Sequence, residues 1–136
     1  MPRMESAIFK SKFEKKTMSV ALDDNDPIHI SLRKALEENN VREAKVIDVS
    51  GKLKEGTVQY MQGTNLKNKD LRETELMHAS GHLKVSFGEL FGIIKVSTKS
   101  KPMYSGTLLG GKAGQGLTFK LSFAEEKSDQ KKEIIA

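Results

Sequence analysis

The chain has 136 residues, no cysteine, and 23 lysines and arginines against 18 aspartates and glutamates, for a net charge of +5. That is the size of one ordinary domain, so two full enzyme domains will not fit. Lack of cysteine removes disulfides, thiolate metal sites and a cysteine nucleophile. With 37% apolar residues there is enough hydrocarbon to bury one core. No apolar stretch approaches the roughly 18–20 residues that cross a bilayer, and Met1-Pro2-Arg3-Met4-Glu5 does not lead into the apolar run of a signal peptide. The expectation is a soluble, cytoplasmic protein with no membrane partner.

The first periodic segment is Ala7-Ile8-Phe9-Lys10-Ser11-Lys12-Phe13, which alternates from Ile8 onward as a half-buried strand does. Glu14-Lys15-Lys16 reads as a polar turn, and Met18-Ser19-Val20-Ala21-Leu22 as a second strand, stopped by Asp23-Asp24-Asn25-Asp26. A helix follows. Asp26 can cap the first-turn amides, and Pro27 suits the first helical position, where the missing N–H costs nothing. Ile28, Leu32, Ala35 and Leu36 form one stripe on a 3.6-residue repeat, and Asn39-Asn40 can end the helix in a left-handed conformation.

Beyond the helix, Ala44 to Val49 reads as a strand, Gly51 as a turn or bulge, and Gly56 to Met61 as the partner strand. The polar run from Gln62 to Asp70 reads as a loop. Short strands are expected at Leu76 to Ala79 and His82 to Ser86, on either side of Gly81. A more apolar strand spans Phe91 to Ser97, and the last two cover Tyr104 to Leu109 and Leu117 to Phe123. Many strands with one early helix predict an α+β fold with a mostly antiparallel sheet. One domain is expected over residues 1–123, with a charged, mobile or loosely helical tail over 124–136.

Positive charge is concentrated. Residues 84–120 carry Lys84, Lys95, Lys99, Lys101, Lys112 and Lys120 against a lone Glu89. Such a stretch can attract phosphates or acidic ligands; the plainer alternative is a solubilising lysine surface, since no aromatic residues are interleaved with these lysines.

Gly106-Thr107-Leu108-Leu109-Gly110-Gly111-Lys112-Ala113 falls one residue short of a phosphate-binding loop. Ala113 stands where a hydroxyl would hold magnesium, and a strand follows where a helix is required, so a glycine-rich hairpin or loop is expected. His78 and His82 have the four-residue spacing of zinc ligands on a helix. Their surroundings are strand-like and no third ligand lies nearby, so ordinary strand or turn histidines are expected. No nucleophile elbow or serine triad occurs. The pairs Glu37-Glu38 and Glu125-Glu126 lie on solvent-facing or tail segments, unsuited to a general acid/base dyad.

Several of these segments together resemble the PPC (plants and prokaryotes conserved) domain. The resemblance rests on Val20-Ala21-Leu22-Asp23-Asp24-Asn25-Asp26-Pro27 and the helix, on Val41 to Leu53, and on Glu75-Leu76-Met77-His78-Ala79-Ser80-Gly81-His82-Leu83. It extends through Gly88-Glu89-Leu90-Phe91-Gly92-Ile93-Ile94-Lys95-Val96 and Tyr104-Ser105-Gly106-Thr107-Leu108-Leu109, covering residues 17–123. It implies a compact, barrel-like α+β domain assembling as a homotrimer, with strands from neighbouring subunits completing the core, in a family often labelled DNA-binding. In plant members an Arg-Gly-Arg AT-hook makes the base contacts; no such core occurs here. Many prokaryotic members carry zinc-binding histidines at positions that correspond here to Ile93, Lys95 and Thr107, so the resemblance implies no metal and no other cofactor.

The expected function is therefore a non-enzymatic, PPC-like homotrimer whose Lys95, Lys99, Lys101 and Lys112 make weak, salt-dependent contact with DNA or another acidic partner. The alternative is a module binding a small anion, with or without residual enzymatic activity, in a subunit cleft near His78, His82, Lys95 and Thr107. A third reading, a purely structural assembly factor, binds neither. For Lys95, a charge in an apolar strand, the plainer reading is an outward-facing lysine that discourages edge pairing.

Overall fold

The computed structural model describes residues 13–126. The expected strand over residues 7–13, except Phe13, and the tail beyond residue 126 lie outside the described residues. Seven strands and one helix occur among them: β1 (Phe13–Ala21), α1 (Ile28–Glu38), β2 (Glu43–Ser50), β3 (Lys52–Gln62), β4 (Asn65–Ser86), β5 (Glu89–Thr98), β6 (Ser105–Ala113) and β7 (Thr118–Glu126).

All named pairings are antiparallel. The strand order is β1-β7-β2-β4-β3-β6-β5, and β4 also pairs with β5. Strands β3, β4, β5 and β6 therefore close on themselves, while β2, β7 and β1 extend the sheet from β4. This is the expected α+β, sheet-dominated fold with its single helix.

Strand β4 makes the closure possible. Its first half pairs with β3 from Asn65 to Glu75, and its second half pairs with β5 and, over residues 81–84, with β2. The change of partner falls at Glu73, whose φ is +48°, and at a register shift between Leu76 and His78; extra residues of this kind bend a strand.

The polarity of residues 62–70 predicts a loop, and Gly81 predicts a break between two short strands. The structure instead has a two-residue turn at Gly63-Thr64 and one continuous strand from Asn65. The arm from Asn65 to Asp70 is exposed on both faces, so it has no apolar alternation to reveal it. Gly81 does not break the strand: a Cβ there would stand 2.1 Å from the Ile93 carbonyl oxygen, with φ at +150°. Glycine lets β4 and β5 approach at this point.

Other expectations change in the same way. Glu14-Lys15-Lys16 is strand rather than turn, because β1 pairs with β7 along its whole length. The glycine-rich segment Gly106 to Ala113 is strand β6, tied to β3. Strand β7 runs to Glu126, past the expected domain end at Phe123.

Helix α1 buries Ile28, Leu32 and Leu36 completely and packs against β4, β5 and β6. Each such burial is worth about 2 kcal/mol as an upper bound. Pro27, not Asp26, occupies the N-cap position. The Asp26 carboxylate instead accepts the Asp23 amide at 2.9 Å, so it closes the acidic turn. At the other end Asn40 has φ +56°. The Asn40 and Val41 amides donate to the Glu37 and Leu36 carbonyls at 3.1 and 2.9 Å, the paired bonds of a left-handed C-terminal stop. Arg33 donates from Nη1 to the Gly88 carbonyl at 2.7 Å, tying the helix to the turn between β4 and β5. That turn consists of Phe87 and Gly88, with φ +52° and +74°, and Phe87 is fully exposed.

The helix covers the inner sheet face, where Leu53, Val58, Leu83, Ile94, Leu108 and Phe119 are buried. The outer face of β4, β5 and β6 has no such cover among the described residues. No helix among them is long and apolar enough to cross a membrane.

Candidate functional site

Directly opposed residues of an antiparallel pair project to the same face, and alternate residues along a strand share it. The outer face of the closed region can therefore be read as rows. One row holds His82 on β4 and Ile93 on β5. The next holds Ser80, Lys95, Thr107 on β6 and Gln59 on β3. A third holds His78, Ser97 and Ser105.

Lys95 is paired with neighbours on both sides, so β5 is an interior strand at this point. The edge-protecting explanation for this lysine does not apply. Two depressions meet at it. The smaller, of about 190 Å³, is lined by His78, Ser80, Lys95, Ser97 and Ser105 together with Ala79 and Val96. The larger, of about 410 Å³, is lined by Gln59, Tyr60, Met61, Leu66, Lys95, Ser105, Gly106 and Thr107. Ser97 Oγ lies 3.2 Å from Ser105 Oγ. Tyr60 is held edge-on against Tyr104, with ring centroids 5.3 Å apart.

The structure thus brings His78, Lys95 and Thr107 to one region. His82 lies one row away and is engaged elsewhere: its Nε2 is 2.9 Å from Glu43 Oε2 on β2, and both side chains are exposed. His78 and His82 are four residues apart on a strand, roughly 13 Å, too far to share one ion. The four lysines singled out from sequence do not converge. Lys99 Nζ pairs with Glu75 at 3.0 Å and Lys112 Nζ lies 4.0 Å from Glu55. Lys112 is five residues along β6 from Thr107, roughly 17 Å. Lys101 is exposed in the connection between β5 and β6.

Sequence reasoning missed the hydroxyls of Ser80, Ser97 and Ser105. The signal was the alternation of Lys95 with Ser97, meaningful only once the strand register was known.

The outer face also carries apolar side chains. Phe91, Ile93 and Leu109 are each about half exposed, at 50, 52 and 48%. Phe91 and Ile93 alternate with Lys95 on β5, and Leu109 lies two residues beyond Thr107 on β6.

No protein-family model matches the chain, and no curated protein matches it. Solved structures share the fold, PPC-like α+β proteins among them. A plant- and prokaryote-conserved (PPC) protein from Pyrococcus horikoshii superposes with a TM-score of 0.64 at 19% identity, covering 85% of this chain and 82% of that one. A metal-containing protein from Archaeoglobus fulgidus gives a TM-score of 0.68 at 21% identity over 85% and 84%. A candidate DNA-binding protein from Ralstonia eutropha JMP134 gives 0.63 at 17% over 87% and 85%.

The metal implied by many PPC proteins does not fit this site. Of the three positions that the resemblance assigns to ligands, Ile93 offers hydrocarbon, Lys95 a cation and Thr107 a neutral hydroxyl, a set that repels or ignores a divalent ion. Among the described residues no group of three or more His, Cys, Asp and Glu side chains is placed to hold a metal.

Proposed function

We propose that the chain is a non-enzymatic, PPC-like cytoplasmic module that assembles as a homotrimer and contacts DNA or another polyanion through the lysines of residues 84–120. The observation that carries self-association is the trio of half-exposed Phe91, Ile93 and Leu109. These residues lie on a sheet whose opposite face α1 already covers, and exposed apolar groups of this kind favour a protein partner. The polyanion reading draws on the net charge of +5 and on solved structures of the same fold named as candidate DNA-binding proteins, from Ralstonia eutropha and Bacteroides thetaiotaomicron. Lys95 and Lys101 have no carboxylate within salt-bridge distance among the described residues. Lys99 and Lys112 would exchange a glutamate for phosphate.

The test is light scattering coupled to size exclusion, with and without short duplex DNA, at about 50 mM and about 200 mM salt. A mass near three chains that rises with DNA only at the lower salt supports the reading. A stable monomer that ignores DNA overturns it.

One observation favours a second reading, a small-anion-binding module: an unpaired Lys95 ringed by hydroxyl side chains. Here Lys95→Glu would abolish binding, whereas on a lysine-rich DNA surface it would remove one of several additive contacts.

A further inference from the structure

We infer that the two depressions meeting at Lys95 form a single bipartite site for a small organic phosphate monoester. The phosphate would be held among Lys95, Ser97 and Ser105, and the organic body would lie against Met61 and Leu66. This rests on the small-anion reading above and specifies its ligand.

The head end follows from its donors. Lys95 lies between Ser80 and Thr107, and Ser97 and Ser105 occupy the adjoining row. Among the described residues no aspartate or glutamate lines either depression. Lys16, Lys54, Lys99 and Lys112, by contrast, each have a carboxylate oxygen within 4.0 Å. An exposed ammonium whose cross-strand neighbours carry hydroxyls, with no internal counter-charge, is complementary to an oxyanion, which accepts charge-assisted hydrogen bonds. The hydroxyls of Ser80, Ser97 and Ser105 line the smaller depression with the Lys95 ammonium, donors spread over three strands that suit the three terminal oxygens of a phosphate monoester.

The body end follows from two side chains out of character with their surroundings. The hairpin arm of β3 and β4 is polar along most of its length, yet Met61 and Leu66 face each other across it. They are 59 and 60% exposed and both line the larger depression beside Lys95. At about 410 Å³ that depression lies within the usual range for small-molecule sites, which pair an apolar wall with a few fixed polar groups. Lys95 and Ser105 line both depressions, so head and body are contiguous.

The experiment titrates the full chain with inorganic phosphate, phenyl phosphate and phenylacetate, following amide shifts by two-dimensional NMR. Phenyl phosphate should bind about 10-fold tighter than inorganic phosphate, with shifts centred on Lys95, Ser97 and Ser105. Lys95→Met and Lys95→Gln should each weaken both phosphates at least about 10-fold. Leu66→Ser, at an exposed position, should reduce phenyl phosphate to the level of inorganic phosphate and leave the latter unchanged. Equal binding of the two phosphates, or phenylacetate binding as tightly as phenyl phosphate, overturns the bipartite ester site while leaving a small-anion site standing. Shifts centred on Lys101 or Lys112, or no shifts with any probe, overturn both.

Discussion

Ile93 stands directly opposite His82 across the β4–β5 ladder, so a half-exposed hydrocarbon side chain borders the imidazole that holds Glu43. The backbone here pairs with β4, and what the outer face offers a partner is the half-exposed apolar side chains. Replacing Ile93 with Asp removes apolar contact at each copy and places charge in the contact, without disturbing the inner core. Ile93→Asp should lower the mass measured by light scattering towards one chain, with the far-ultraviolet circular dichroism unchanged. An unaltered oligomer would place the contact on another surface.

Gly81→Ala should destabilise the fold by at least about 2 kcal/mol. The added methyl would meet a backbone carbonyl oxygen, which has no flexible end to move aside, at a φ that alanine rarely adopts. Urea denaturation measures the loss, and a change below about 0.5 kcal/mol would mean that β4 and β5 separate easily here.

Phe87→Asn should act in the opposite direction. Phe87 has φ +52° and no burial to lose, and two-residue hairpin turns with positive φ favour Asn before Gly. Relief of the left-handed penalty predicts a gain of about 1 kcal/mol, visible as a higher melting temperature.

His29 introduces a pH dependence. It is the second residue of α1, and desolvation by burial lowers its pKa from the ordinary 6.5. The unfolded chain therefore binds this proton more readily than the folded one. The contribution to stability is complete above about pH 6.5 and is lost as pH falls through that value towards the lower folded pKa. His29→Gln should flatten this part of the stability–pH curve; an unchanged slope would assign it to other groups.

Legibility in the sequence followed the physics of burial. The helix was readable from Ile28, Leu32 and Leu36 because one buried stripe leaves a local period, and Asn40 ends it through its own backbone preference. The 65–75 half of β4 was not readable, since its order comes from backbone bonds to β3 and its side chains are largely solvated. Lys95 and Thr107 were singled out as neighbours through a family likeness, but the serines around them belong to three strands. The pair formed by His82 and Glu43 spans 39 residues and has no local signature. Asp26 shows the converse: a residue suited to capping accepts the Asp23 amide instead of a first-turn one.

The double duty of β4 has a consequence for how the molecule opens. One 22-residue strand serves as an arm of the hairpin with β3 and as the central partner of β5 and β2, so neither part can come apart without exposing an edge of the other. Amide protons on β2, β3 and β5 should therefore exchange with solvent by a common, near-global opening event, with the exposed arm around Gly63 as the fraying exception.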